Sequence, residues 1–282
     1  IIENVQDKNP GDVEGNTPFH LTAENGNLDV SKLIIANIKD KNPGDLEGVT
    51  PLHRAAESGQ LEICKLIMEQ VKIKNPGNVN GYTPLHMAAD SGHLNICKFI
   101  IEYVQDKNPA DLDGNTPLHE ASSCGHLDIC KLIVENVQDK NPRNKDGNTP
   151  LHFAAGQGNL DVCKMIMENV QNRNPGNDNG DTPLHVAAKK GHLDVCKLIV
   201  ESMLNKNIEN IQVHTPTDSV AINGQICELI NVNPMNNLGQ TPFHLAEQSG
   251  NLKVCEYFIS LVKKKKKEQG NHNTDAYQSS KK

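Results

Sequence analysis

The chain has 282 residues, 35 of them acidic and 28 basic, for a formal charge of −7. Aromatic residues make up only 3% and tryptophan is absent, so a core of large rings is excluded and Leu, Ile, Val, Ala and Cys must pack it. Residues 263–282 hold seven Lys against two acids, which leaves −12 on residues 1–262; such a body disfavours phosphate-backbone binding, which needs clustered Lys and Arg.

The opening residues, IIENVQDKNPGDVEGN (1–16), have neither an initiator Met nor a signal-peptide layout. No apolar run approaches the ~20 residues that span a bilayer. From Thr17 the sequence repeats itself. TPFH or TPLH begins at Thr17, Thr50, Thr83, Thr116, Thr149 and Thr182, in steps of 33 residues, and a glycine stands nine residues after each. The next step falls on Thr215, where the motif has decayed to TPTD, and TPFH returns at Thr241.

Each repeat predicts helix, turn, helix and extended loop. The Thr suits an N-cap, where its hydroxyl can accept from an orphan amide. The Pro after it fits the first helical position, where a missing N–H costs nothing. A short first helix such as PLHVAAKK follows, and its Ala pair admits a close neighbour. Gly191 and its equivalents stop it by taking a left-handed conformation without strain. The second helix, as in HLDVCKLIVENV, is apolar on more than one face, which calls for burial between neighbours. The stretch QDKNPRNKDGN supplies Asn, Pro, Asp and Gly for a finger-like turn.

A 33-residue period carrying T-P-L-H-x-A resembles the ankyrin repeat. The resemblance covers about residues 1–262 and implies an all-α fold, an ankyrin-repeat solenoid of stacked helix-turn-helix units with hairpin-like finger loops. It divides the chain into the back half of a truncated repeat (1–16), six regular repeats (17–214), a shortened divergent repeat (215–240), a C-terminal capping repeat (241–262) and a Lys-rich tail (263–282) expected to be disordered. A half-repeat at the start suggests a piece of a longer protein. The shortened repeat suggests a kink or stacking fault. Where many ankyrin repeats end the second helix with glycine, this chain has Val5, Ile38, Val71, Val104, Val137, Val170 and Met203; the helix is expected to run longer or to end by another cap.

The stretch TPLHEASSCGHLDIC (116–130) brings His119, Cys124, His126 and Cys130 close in sequence, as a zinc site or a Cys–His nucleophile would. Three of the four have a periodic cause. His119 belongs to the T-P-L-H series, expected to tie neighbouring loops together; Cys130 belongs to a series of helix-two cysteines, expected in the core; His126 recurs as His93 and His192. Cys124 alone is private to its repeat. Neighbouring helices lie ~8–10 Å apart, too far for a disulfide ladder, which favours a reducing compartment: cytoplasm, with nuclear import through Lys263–Lys267 as a further reading. No phosphate-binding loop, nucleophile elbow, H-E-x-x-H or dinucleotide fingerprint occurs, so no enzyme, metal or cofactor is expected.

Function should then lie in what varies between repeats. The resemblance implies a concave groove lined by finger positions just before each Thr and by the exposed end of the first helix. Those positions give Glu14, Asn16 and Glu24; Glu47, Val49 and Glu57; Asn80, Tyr82 and Asp90; and Asp113 and Asn115. Basic residues come later, at Lys145, Lys189 and Lys190, with Asp181 between them. Arg54, Met87 and Phe153 follow the motif His and would floor the groove. A partner with a basic segment toward the N-terminal end, and an acidic patch near repeats five and six, is expected. The array reads as a monomeric, non-catalytic scaffold for one or more proteins, or as a targeting or regulatory part of a larger channel, kinase or ubiquitin-ligase adaptor. Nucleic acid is expected only weakly, through the Lys tail. One finger position is Asn in every repeat, and the resemblance implies possible targets of an asparaginyl hydroxylase at Asn42, Asn75, Asn108, Asn141 and Asn174.

Overall fold

The computed structural model describes residues 8–209 and 234–261. The helix expected within 1–7, the decayed motif at Thr215 and the Lys263–Lys267 run lie outside them. The described residues are helical and contain no strand. The first helices are α1 (Pro18–Glu24), α3 (Pro51–Glu57), α5 (Pro84–Asp90), α7 (Pro117–Cys124), α9 (Pro150–Gln157) and α11 (Pro183–Lys190). Each is followed by a second helix: α2 (Leu28–Asn37), α4 (Leu61–Gln70), α6 (Leu94–Tyr103), α8 (Leu127–Asn136), α10 (Leu160–Asn169) and α12 (Leu193–Glu209). The last pair is α13 (Pro242–Gln248) and α14 over 252–261. Among the described residues no helix is long and apolar enough to cross a membrane.

Helices of seven to ten residues are marginal in water on their own, so packing must hold them. In α4 the buried residues are Ile63, Cys64, Ile67 and Met68, and α6 and α8 repeat the pattern with Ile96, Cys97, Ile100, Ile101 and Ile129, Cys130, Ile133, Val134. Each Ile buried in this way contributes roughly 1.5–3 kcal/mol. Alanine pairs such as Ala55 and Ala56 are fully buried on the first helices and let them lie close.

The chain forms two compact units, residues 1–154 with 161–171, and residues 155–160 with 172–282. In the first, α1, α3, α5 and α7 pack side by side, and α2, α4, α6 and α8 form the layer beside them. Hydrogen bonds of one recurring kind join the repeats. The Thr backbone N–H donates to Nδ1 of the motif His, at 3.1 Å from Thr50 to His53 and from Thr83 to His86. Nδ1 therefore carries the lone pair and Nε2 the proton. That Nε2–H donates to a carbonyl of the next repeat: His20 to Val49 at 2.9 Å, His53 to Tyr82 at 3.0 Å, His86 to Asn115 at 3.2 Å and His119 to Asn148 at 3.3 Å. Charging the ring would set two N–H groups against each other in a buried place. Burial accordingly holds His53, His86 and His119 down at about 4.

The second helices end by another device than glycine. Ile38, Val71, Val104 and Val137 take an extended conformation, with ψ between 148° and 156°. At the ends of α2 and α4 a lysine meets the last carbonyls: Lys41 Nζ donates to those of Ile35 and Ile38, at 2.5 and 2.6 Å, and Lys74 Nζ to that of Met68, whereas the equivalent Lys107 and Lys140 donate to Asn136 and Asn169 Oδ1 of the next second helix at 3.3 Å. A cation at a helix C-terminus also meets the negative end of its dipole. Among the described residues α12 is the longer helix, running through Met203 to Glu209.

In the second unit, α11 packs on α12 and on α13. His185 Nε2 donates to the carbonyl of Gln240 at 3.1 Å, and Asn237 N to that of Asn179 at 2.9 Å. The repeat at Thr241 thus makes the contacts of a neighbouring repeat with α11, while the shortened repeat expected at 215–240 lies, as far as residue 233, outside the described residues. The step from Thr182 to Thr241 is 59 residues, yet the bonds are those of a 33-residue step.

Candidate functional site

Most recurring side chains are consumed by the framework. The finger Asn accepts from an amide of the following first helix: Asn42 Oδ1 from Leu52 N at 3.0 Å, Asn75 from Leu85 N at 2.9 Å, Asn108 from Leu118 N at 3.0 Å, and likewise Asn141 and Asn174. Within each finger an Asp or Asn bends the tip. Asp45 Oδ1 accepts from Glu47 N at 2.9 Å and Val49 N at 2.8 Å, and Asn78 and Asp111 do the same in the next fingers. Successive tips are linked by Leu46 N to Glu14 O, Val79 N to Glu47 O, Leu112 N to Asn80 O and Lys145 N to Asp113 O.

The four residues suspected of holding zinc do not converge. Both ring nitrogens of His119 are engaged, by Thr116 and by the Asn148 carbonyl. Cys130 is buried and its thiol is pushed up to about 12 by desolvation. His126 Nε2 lies 2.9 Å from the Asp90 carbonyl. Cys124 is exposed and donates to Asp90 Oδ1 at 3.1 Å; desolvation, that bond and the nearby carboxylates push its thiol up to about 11, which suppresses the thiolate. Among the described residues no group of three or more His, Cys, Asp or Glu could hold a metal ion.

The variable positions divide by depth. In the first unit Glu14, Glu24, Glu47, Glu57, Asn80, Asp90, Asp113 and Lys145 are exposed, and in the second Lys189 and Lys190. The residue immediately before the Thr sits at the finger's base; Val49, Tyr82, Asn115, Asn148 and Gln240 give their carbonyls to the preceding His, and the Asn16 carbonyl accepts from Asp12 N. Asn16, Tyr82 and Asn115 are half-buried there, and Val49 is only 5% exposed. Val49 therefore belongs to the packing and is withdrawn from the binding set. Asp181 Oδ1 accepts from Asn236 Nδ2 at 2.7 Å and so holds the next finger. Arg54 pairs with Asp45 and Glu57 at 3.8 and 3.6 Å, so its charge is met within its own repeat. Phe153 sets its ring edge against His119, centroids 5.2 Å apart, and Met87 is half-buried.

One locus in the first unit stands out. The Tyr82 ring lies against His86, centroids 4.6 Å apart and tilted by 30°. Burial first, then the charges of Glu120, Asp90 and Asp111, push its hydroxyl well above the ordinary tyrosine range. Desolvation, then Asp90 and Asp111, push the Glu120 carboxyl up to about 7. The locus joins the base of one finger, the end of α5, the start of α7 and the finger between them. Like charges confined beside an aromatic ring are relieved by a cation, and a Lys or Arg side chain can supply both the charge and a face-on contact with the ring. Glu120 escaped the sequence reading, although it holds the register of Arg54, Met87 and Phe153. Val13, Leu46, Val79 and Leu112 stand four residues before their Thr, a finger-tip register that the sequence reading counts in the groove without naming its occupants.

The sequence profile of the ankyrin repeats matches the chain in three copies, over residues 1–76, 66–144 and 132–210, and that of the single ankyrin repeat matches 238–263. No curated protein matches the chain.

Proposed function

The chain belongs to the ankyrin-repeat family, whose repeats are protein–protein interaction modules and typically non-catalytic, and from that premise we propose that it is a scaffold holding a partner protein against the fingers and first helices of its first compact unit. The observation that carries this reading is the locus of Asp90, Asp111 and Glu120 around Tyr82, in a face where the framework side chains are already spent on the fold. The partner offers a basic segment, with one Lys or Arg seated at Tyr82, and Glu14, Glu24, Glu47 and Glu57 steer it electrostatically. Lys189 and Lys190 give the second unit a separate basic patch suited to an acidic segment.

The test is affinity capture with cross-linking, using the chain beside a Tyr82→Ala, Asp90→Asn, Glu120→Gln variant. Partners lost from the variant, weakened by salt and cross-linked near Tyr82 through a Lys- or Arg-rich segment support the proposal. The same partners on both chains overturn it. Because Glu120 ionises near 7, capture should also weaken as the pH falls through 7, when one carboxylate charge is lost.

A further inference from the structure

Four apolar side chains at the finger tips of the first unit stand in solvent. Val13 is 93% exposed, Leu46 75%, Val79 58% and Leu112 58%. They hold the same register in four successive repeats, so the backbone links from tip to tip set them in a row. Scattered exposed apolar residues are ordinary, whereas a contiguous row marks an interaction surface. Beside the row stand the exposed carboxylates of Glu14 and Glu47.

The tips exclude one mode of binding. A partner strand would need free backbone groups to pair with, but these amides are already used. In the first finger Glu14 N and Asn16 N donate to Asp12 Oδ1 and Gly15 N to Asp12 O, and the next three fingers repeat the arrangement. Docking must therefore go through side chains. Spacing then selects the partner's conformation. Neighbouring repeats are separated by about the 8–10 Å of packed helices. An extended strand presents same-face residues every ~6.8 Å and drifts out of step by the second finger. An α-helix presents residues seven apart every ~10.5 Å, close to one residue per finger.

We infer that the finger-tip row Val13, Leu46, Val79 and Leu112 is a docking edge for an amphipathic helix of a partner protein, with apolar residues recurring every seven positions and Lys or Arg beside them. The inference rests on the protein-binding reading of the same unit and adds the form of the ligand. Four fingers need a helix of about 22 residues.

The experiment uses the full chain and a synthetic helix of about that length, with Leu at every seventh position and Lys flanking. Binding is read by fluorescence anisotropy. Two controls are a peptide of the same composition with the Leu spacing scrambled, and a peptide of residues 263–282, which is basic without the heptad. The expected result is that the heptad peptide binds and that Val13→Ser, Leu46→Ser, Val79→Ser, Leu112→Ser together weaken it at least tenfold with the thermal midpoint unchanged. Equal binding by either control, unaltered binding by the tip variant, or no binding of the heptad peptide overturns the inference. The Tyr82→Ala, Asp90→Asn, Glu120→Gln variant separates the two proposals. If it abolishes capture of a natural partner while the tip variant does not, the scaffold reading stands and the docking edge fails.

Discussion

Two junctions between neighbouring repeats, one in each compact unit, use the same bonds across very different lengths of chain. In the first unit His53 reaches the carbonyl of Tyr82, 29 residues on, and Val79 N reaches Glu47 O. In the second His185 reaches Gln240, 55 residues on, and Asn237 N reaches Asn179 O. Even the turn contacts correspond: His93 Nε2 lies 2.8 Å from the Glu57 carbonyl, and Asn251 Nδ2 donates to the carbonyls of Ala188 and Lys189. Nearly doubling a connecting loop costs only about 0.6 kcal/mol, less than one such bond. The complementary residues, and not the spacing, specify which repeat stacks on which.

Acid should break this arrangement most. His53, His86 and His119 are held at about 4 in the folded chain against ~6.5 unfolded. A depressed folded value means that the unfolded chain binds more protons between the two. The stabilisation is therefore complete above ~6.5 and is lost as the pH falls toward 4, by about 2 kcal/mol per histidine at pH 5. His20 and His185 are lowered in the same direction. Urea midpoints by far-UV circular dichroism at pH 7.5 and 5 measure the loss, and imidazole resonances that titrate near 6.5 in the folded chain would refute the cause.

Removing one ring comes next. His86→Ala leaves the Thr83 amide and the Asn115 carbonyl without partners, at an expected cost of about 2–4 kcal/mol. If the junctions are equivalent, His185→Ala costs the same within about 1 kcal/mol. A His185 variant as stable as the parent chain would show that the long junction is held by something else.

The framework was legible in the sequence because the repeats state it again and again: Thr, Pro, His and Gly return in each TPLH or TPFH repeat, and the helix-two Cys gives way only to Ser31. What was hidden lacked that support or resembled solvation. Lys41 reads as a solvated loop lysine until its Nζ is found on the last carbonyls of α2. Glu120 shares the groove-floor register of Arg54, Met87 and Phe153, but the sequence does not show that Asp90 and Asp111 crowd its carboxylate. Val13, Leu46, Val79 and Leu112 hold a finger-tip register, but the sequence does not say how far their side chains stand in solvent. The decayed TPTD at Thr215 keeps the 33-residue step but lies outside the described residues, and a register count alone does not show that the repeat at Thr241 meets α11.

The lysine stop is a smaller test of the same contrast, since α2 ends on Lys41 whereas α12 runs on. Lys41→Met should cost about 1 kcal/mol, from two charge-assisted bonds and the helix dipole. An unchanged urea midpoint would show the extended Ile38 to be stop enough.

The smallest expected effect is the sharpest test of the comparison. Lys206-Asn207 and Asn233-Pro234 are the two halves of the Lys-Asn-Pro that opens the fingers at Lys8, Lys41, Lys74, Lys107 and Lys140. Excising 208–233 joins Asn207 to Pro234, restores that tripeptide and places the last TPFH 33 residues after Thr182. The excised chain should then end α12 near Met203, as its siblings end, and keep the contact from His185 to the carbonyl before Thr241. Shortening the loop gains about 0.6 kcal/mol, so the urea midpoint should rise slightly or hold, and His185→Ala should cost the same in the long and short chains. If excision instead costs more than about 2 kcal/mol, residues 208–233 hold the second junction together, and the likeness of the two junctions is a matter of geometry without shared energetics.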